Sequence, residues 1–248
     1  MKETHLFYSP RASLAAGVLP PEEARHAVKV LRLKPGDELW VTDGEGCLCH
    51  ATVTMTSRDD CAFHVDHRVT EPRSWKSRIV LAVAPTKQME RMEWLAEKAT
   101  EIGVDEIILL NCKNSERRSV RADRLERIVI SAMKQSHKCR KPKVSELTNF
   151  DHFLKLQADS DLQRFIAVCL PPTEEEQHLK LNTHNFLGDL VAADRDTVVA
   201  IGPEGDFSSE EVTAALQNGF TAISLGESRL RTETAALVAV HLMYLAKR

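Results

Sequence analysis

No apolar run in this chain approaches the roughly 18–20 residues that cross a bilayer, so no membrane association is expected. The N-terminus, Met1-Lys-Glu-Thr-His-Leu-Phe-Tyr8, has no long apolar stretch after its charges and does not read as a signal peptide. Six cysteines stand at 47, 49, 61, 112, 139 and 169, with no Cys-x-x-Cys spacing. A structural zinc site is therefore not expected, and no other metal-ligand spacing is visible. Without an export signal, reduced thiols and a cytoplasmic location are the better reading. No Gly-x-Gly-x-x-Gly follows a first strand and no Gly-Lys-Ser/Thr occurs. Rossmann-type dinucleotide enzymes and P-loop nucleotide enzymes are thereby disfavoured. Internal repeats and low-complexity segments are also lacking.

What is present is an ordinary globular composition, 43% hydrophobic and 28% charged over 248 residues, enough for one large or two modest domains. The net charge of −3 hides an asymmetry. Residues 113–143 hold 11 basic and 3 acidic residues, net +8, whereas residues 144–248 hold 8 and 16, net −8. A strongly basic block inside an acidic protein suggests a surface for a polyanion. The plainer alternative is a solvated helix face, interrupted here by Asp123 and Glu126.

Residues 1–70 read as mostly β. Glu38-Leu-Trp-Val-Thr42 is a strand, Asp43-Gly-Glu-Gly46 a turn with two glycines for positive φ, and Cys47–Met55 its return. Cys61–Val69 continues the pattern, and Pro21 suits the start of a helix over Glu22–Leu31. Closely spaced strands suggest a compact barrel. After a linker at Glu71–Lys76 the pattern changes. Ile79–Ala84 is a continuous apolar run, as expected for a strand buried on both faces. Helices follow at Gln88–Ile102, Arg121–His137, Asn149–Gln157, Ser208–Asn218 and Thr232–Ala246. Strands are expected at Glu106–Leu110, Arg164–Leu170, Thr197–Ile201 and Ala222–Leu225. Alternating strands and helices make this second region α/β with a mainly parallel sheet.

Chemistry concentrates in two segments, Ile201-Gly-Pro-Glu-Gly-Asp-Phe207 and Leu225-Gly-Glu-Ser-Arg-Leu-Arg-Thr-Glu-Thr-Ala235. Each follows an apolar strand, and polar turns at strand ends make ligand sites on parallel sheets. Glycines in Gly202-Pro-Glu-Gly205 permit close backbone approach, although a plain strand-to-helix turn would read the same way. Thr232 reads as a helix N-cap, and Glu233 suits the first-turn dipole. Arg231 has no such explanation. A cation at the positive end of a helix invites an anionic partner.

Taken in order, these motifs resemble the RsmE methyltransferases, the 16S ribosomal RNA uridine-N3 methyltransferases of the SPOUT class. His26-Ala-Val-Lys-Val-Leu-Arg32 with Gly36-Asp37 resembles the N-terminal signature. Lys98–Val104, Glu116–Ser119 and Gln135-Ser136 before Pro142 resemble the middle of the family, and the similarity spans the whole chain. Asp206 departs from it, standing where the family usually has a third glycine. Glu227-Ser-Arg-Leu230 replaces a more apolar version, and His137-Lys138 replaces a small residue and arginine.

The resemblance implies a PUA-like RNA-binding β-barrel over residues 1–72 and a SPOUT α/β domain over 76–248, dimeric through that domain. It also implies a C-terminal trefoil knot, an exception to the rule against threaded chains. S-adenosylmethionine would bind there, lined by Ile201, Gly202, Pro203, Glu204, Gly205, Leu225, Gly226, Leu230, Arg231, Thr232, Glu233, Thr234 and Ala235, with Leu170 closing a third side. The target would be N3 of a uridine in 16S ribosomal RNA on the 30S subunit. Arg231 would orient that nucleotide and favour its anionic form. Glu204 would be a proton acceptor or orienting group, or else would cap the following turn. The basic block then offers Arg117, Arg118, Arg121, Arg140, Lys141 and Lys143 to RNA phosphates, with Gln135 beside them and Arg25, His26 and Arg32 in the barrel. For His26 a structural role in the barrel is an equal alternative. A knotted methyltransferase acting on transfer RNA and a non-catalytic RNA-binding assembly protein are the competing readings.

Overall fold

The computed structural model describes residues 5–158, 161–168 and 185–248. The chain forms two compact units, one of residues up to Arg73 together with Ile130–Lys141, the other of Ser74–Val129 with Pro142–Arg248.

In the first unit, β1 (Leu6–Tyr8), β2 (Glu38–Thr42), β3 (Cys47–Thr56) and β4 (Cys61–Thr70) form a sheet in that order. β1 runs parallel to β2, and the other pairs are antiparallel. Two short helices, α1 (Arg11–Ala15) and α2 (Pro21–Arg25), lie between β1 and β2, with Pro21 at the first helical position as its fixed φ favours. The single helix expected over Glu22–Leu31 is divided, because His26–Val30 winds as a π-helix. Gly44 and Gly46 take φ of +77° and +105° in the β2–β3 turn, conformations that cost other residues. Alternate strand residues, Leu39 and Val41 with Cys49, Ala51 and Val53, point into a core that includes Phe7, Leu14, Ala24 and Phe63.

In the second unit a wholly parallel sheet is built from β5 (Ile79–Val83), β6 (Glu106–Asn111), β7 (Lys143–Val144), β8 (Thr148–Asn149), β9 (Gln163–Ala167), β10 (Thr197–Ile201) and β11 (Thr221–Ile223). Its order is β11-β9-β10-β5-β6-β7, with β8 also on β6. Every residue of β5 and β10 is buried, which is why both read as unbroken apolar runs. Ile79, Leu81 and Val83 face a core with Met92, Ala96 and Ala99 of α3 (Met89–Ile102) and Ala236, Ala239 and Val240 of α8 (Thr232–Lys247). Val80 and Ala82 face the opposite core, with Phe150 and Phe153 of α5 (Phe150–Ala158) and Val212 and Ala215 of α7 (Ser209–Gln217). The short α6 (Leu187–Leu190) adds Leu187 to the α8 side. Ser208 caps α7 in a complete capping box with Glu211, as the Ser-x-x-Glu spacing predicts.

The remaining helix, α4 (Ala122–Gln135), begins in the second unit and ends in the first. Trp75, within the expected linker, is buried in the second unit's core, and its Nε1 donates to Asp105 Oδ2 at 2.8 Å.

Candidate active site

The parallel sheet reverses its direction of travel between β5 and β10. From β5 the chain moves through α3 to β6 on one side, while from β10 it moves through α7 to β11 on the other. Neighbouring strands that diverge in this way open a crevice at their carboxyl ends, where α/β proteins hold ligands. Both ends carry polar turns. Thr86-Lys87-Gln88 follows β5, and Gly202-Pro-Glu-Gly-Asp206 follows β10.

Hydrogen bonds join the two turns. Ala84 N donates to Ile201 O at 3.0 Å, continuing the pairing past the end of β5. Lys87 N then donates to Glu204 Oε1 at 3.0 Å. Glu204 therefore does not cap the turn that follows it, since that position belongs to Ser208; it ties its own turn to the neighbouring strand's exit. Glu116, bonded to Lys87 Nζ at 3.0 Å, raises the pKa of that ammonium, and Glu204 adds a smaller pull in the same direction. Thr86 is fully buried, and its hydroxyl donates to Gln88 O at 2.8 Å.

Asp206 explains its own departure from the resembled pattern. Its φ is +61°, in the left-handed region where glycine is favoured and aspartate is among the few tolerated alternatives. Its Oδ1 accepts from Phe207 N at 2.8 Å. The turn thus keeps a glycine-like backbone without a glycine.

The second polar segment leaves β11 through Ser224, whose Oγ accepts from Gly226 N at 3.1 Å. Gly226 has φ +119°, and a Cβ there would meet nothing within 4 Å, so dihedral freedom rather than close packing requires the glycine. The expectation that Thr232 caps the last helix is corrected. The N-cap is Arg231, with extended φ/ψ of −71°/155°, and its carbonyl accepts from Ala235 N at 2.8 Å. Thr232 is the first helical residue and is buried. Cap position follows the backbone here, not the favoured side chain, since Arg231 makes no capping bond. Its guanidinium is exposed and has no hydrogen bond or ion pair among the described residues.

Behind it, Glu233 is buried with Oε1 3.5 Å from Arg91 Nη1, while Oε2 is buried with no hydrogen-bond partner. Leu225, Leu230 and Ala235 pack with Ile201 on one core, so the two segments share the α8 face of the sheet. Thr234 is half-buried, and Gly202 and Pro203 are buried where Glu204 and Gly205 are exposed. Leu170 lies outside the described residues.

The basic block does not belong to one unit. Arg117, Arg118, Arg121 and Lys143 fall in the second unit, Gln135, Arg140 and Lys141 in the first. Most of its cations already have partners. Arg117 donates to Thr86 O at 3.2 Å and to Lys87 O at 2.5 Å. Arg118 donates to Asn111 Oδ1 and to the carbonyls of Cys112 and Lys113. Arg121 pairs with Asp123 at 2.9 Å, and Lys143 with Glu106 at 3.1 Å. Arg140 donates to Glu45 O at 2.8 Å and Lys141 Nζ lies 5.8 Å from the Tyr8 ring centroid, both within the first unit. Arg25, His26 and Arg32 are exposed around the π-helix, Arg32 with φ +56°; the His26 ring lies 6.1 Å from that of Phe7. Arg25 and Arg32 have no side-chain hydrogen bond or ion pair among the described residues, unlike most of the block's cations. No group of three potential metal ligands occurs among the described residues, and no described helix is long and apolar enough to cross a membrane.

Lys87, Asn114 and Lys247 are prominent in this unit, and no sequence motif marked them. Asn114 Nδ2 donates to Gly205 O and Asp206 O at 3.3 and 3.1 Å, a contact between loops 91 and 92 positions apart.

Comparison with known proteins bears on the family and the fold. A family model described as an RNA methyltransferase domain matches residues 73–244, and one described as an RNA methyltransferase PUA domain matches residues 19–66. The ribosomal RNA small subunit methyltransferase E of Rickettsia conorii is 28% identical over 243 residues, covering 97% of this chain and 94% of the relative. A crystal structure of a probable rRNA-methyltransferase from Porphyromonas gingivalis is 41% identical, covers 98% of each chain and superposes with a TM-score of 0.87. The ribosomal RNA small subunit methyltransferase E of Neisseria gonorrhoeae, crystallised with S-adenosyl methionine, is 28% identical, covers 96% of this chain and 95% of its own, and has a TM-score of 0.81. With a parallel-sheet α/β unit of SPOUT type and a small PUA-like unit, the chain belongs to the RNA methyltransferase domain family, among the relatives called ribosomal RNA small subunit methyltransferase E.

Proposed function

We propose that this protein transfers a methyl group from S-adenosylmethionine to N3 of a uridine in 16S ribosomal RNA, acting as a homodimer on the 30S particle. The observation that carries this reading is the pair of polar turns at the β5/β10 divergence, sharing a core with the start of α8. The residues present fit the cofactor. Glu233 Oε2 is a buried acceptor lacking a donor, which a cationic ligand rich in N–H and O–H groups would satisfy. Open space at the Gly226 Cβ position leaves that turn accessible to a ligand. Ile201–Gly205, Leu225, Gly226 and Leu230–Ala235 would hold it, largely through backbone groups and small side chains.

When bound, the cofactor supplies an electrophilic methyl on a sulfonium. The chain's own task is to bring a weakly acidic imide into line and to ease loss of its proton. Arg231 is exposed and unpaired, so its charge remains for the nucleotide. A guanidinium beside N3 and its flanking carbonyls stabilises the anion as it forms. Glu204 Oε1 already accepts the Lys87 amide, which supports an orienting role over proton transfer. The base must be unpaired or flipped out to reach the site. Arg25 and Arg32 of the PUA-like unit are available for phosphate contact, since they lack internal partners among the described residues.

Labelled methyl transfer to 30S particles against naked transfer RNA tests the substrate, and calorimetry with S-adenosylmethionine tests the cofactor. Transfer to 30S with saturable cofactor binding is expected. Transfer to transfer RNA alone favours a different RNA target, and no cofactor binding favours a non-catalytic RNA-binding protein.

A further inference from the structure

We propose that Asn114 and Arg117, in the loop after β6, are positioning residues that set the two cofactor-facing turns, and that Arg117 is not an RNA-phosphate contact. The inference rests on the reading that these turns hold S-adenosylmethionine.

The loop reaches each turn with a different side chain. Arg117 spreads its guanidinium over the β5 exit, Nε to Thr86 O at 3.2 Å and Nη2 to Lys87 O at 2.5 Å. Asn114 spreads its amide over the β10 exit, Nδ2 to Gly205 O at 3.3 Å and to Asp206 O at 3.1 Å. Glu204 closes the ring by accepting the Lys87 amide. The loop is itself anchored. Ser115 is buried and its Oγ accepts from Cys112 N at 3.0 Å, while Lys113 N donates to Glu211 Oε1 at 2.7 Å at the start of α7.

This geometry assigns the carbonyls of Thr86, Lys87, Gly205 and Asp206 to donors on one neighbouring loop. A site that binds its ligand mostly through backbone depends on the dihedral angles of its turns. Holding the carbonyls fixes those angles, and a misplacement of about 1 Å can cost about 100-fold in rate. Arginine suits two adjacent carbonyls because its donors form a rigid fork, which lysine lacks. Asn114 is likewise specific, because an aspartate of the same shape would set oxygen against two carbonyl oxygens.

The test compares wild type with Arg117→Ala, Arg117→Lys, Asn114→Ala and Asn114→Asp in the full-length protein. Three quantities are read: S-adenosylmethionine affinity by calorimetry, KM for each substrate, and the salt dependence of RNA binding. Thermal unfolding verifies that each variant is folded. The proposal predicts that Arg117→Ala raises the cofactor Kd and KM about 10-fold or more, with RNA affinity and its salt slope unchanged. Arg117→Lys restores part of the loss, and Asn114→Asp loses more than Asn114→Ala. A salt slope reduced by about one with cofactor affinity intact would identify Arg117 as a phosphate contact and overturn the proposal. Hydrogen exchange at the Lys87 and Asp206 amides separates the two levels of inference. If wild type binds no cofactor, the functional reading fails; if exchange at those amides is unchanged in Arg117→Ala and Asn114→Ala, the brace itself fails.

Discussion

Lys247 Nζ donates to Ser77 Oγ at 2.6 Å, across 170 positions of the chain. The lysine is fully buried, and its ammonium also donates to Ala192 O at 3.3 Å and to Arg195 O. Lys76 N returns a bond to Lys247 O at 2.9 Å. The end of α8 is thereby tied to the residues that precede β5. Burial pulls the Lys247 pKa down from 10.5 to about 8, against the opposing influence of Asp196, Asp105 and Asp194.

That depression predicts a pH dependence of stability. Below about pH 8 both folded and unfolded chains carry the charge. Between about 8 and 10.5 the folded chain gives up its proton while the unfolded chain keeps it, so stability rises with pH across that window. The expected contribution is on the order of 1–3 kcal/mol. Denaturant unfolding of wild type and Lys247→Met at several pH values isolates it, because the variant should lack this rise.

Glu204 should tolerate loss of its charge better than loss of its acceptor. Glu204→Gln retains an oxygen for the Lys87 amide, so its cofactor Kd should stay within about three-fold of wild type. Glu204→Ala leaves that amide without its partner and should weaken cofactor binding about 10-fold, on the order of 1–2 kcal/mol for a lost charge-assisted hydrogen bond. Calorimetry and steady-state kinetics distinguish this from a proton-transfer role, for which Glu204→Gln would lose kcat as severely as Glu204→Ala.

Arg231→Ala should lower kcat about 100- to 1,000-fold, the range seen when one stabilising donor is removed from a reacting anion. Cofactor affinity should change little, because the exposed side chain holds none of the described structure in place. Single-turnover methylation at saturating cofactor gives the value directly.

Ser208→Ala removes the capping box of α7 and should cost about 1 kcal/mol. For a unit of this size that is a fall of about 2–4 °C in the unfolding midpoint, measurable by calorimetry.

Where burial alone decides structure, the sequence was readable. The apolar runs at Ile79–Ala84 and Thr197–Ile201 are strands because both faces are covered, and Ser208 with Glu211 marks a helix start by local hydrogen bonding. Non-local relationships left no such mark. The insertion of β10 between β9 and β5 has no local signature, although it creates the divergence that forms the site. The periodicity of α4 runs unbroken through Val129 and Ile130, where the chain passes from one compact unit to the other. Lys247 carries no mark in the local sequence and is fully buried. The charge of Arg117 suggested RNA, and nothing local showed that its Nε and Nη2 also donate to carbonyls 31 and 30 positions away. Net charge counts cations without showing which of them are already partnered.

The central claim is that this protein installs 3-methyluridine in 16S ribosomal RNA through the site at the β5/β10 divergence. Mass spectrometry of nucleosides from 16S RNA tests it most directly, comparing a strain lacking the protein with the same strain carrying wild type or Arg231→Ala. The account predicts that 3-methyluridine disappears in the deletion, returns with wild type and stays absent or strongly reduced with Arg231→Ala. An unchanged 3-methyluridine level in the deletion strain would contradict it.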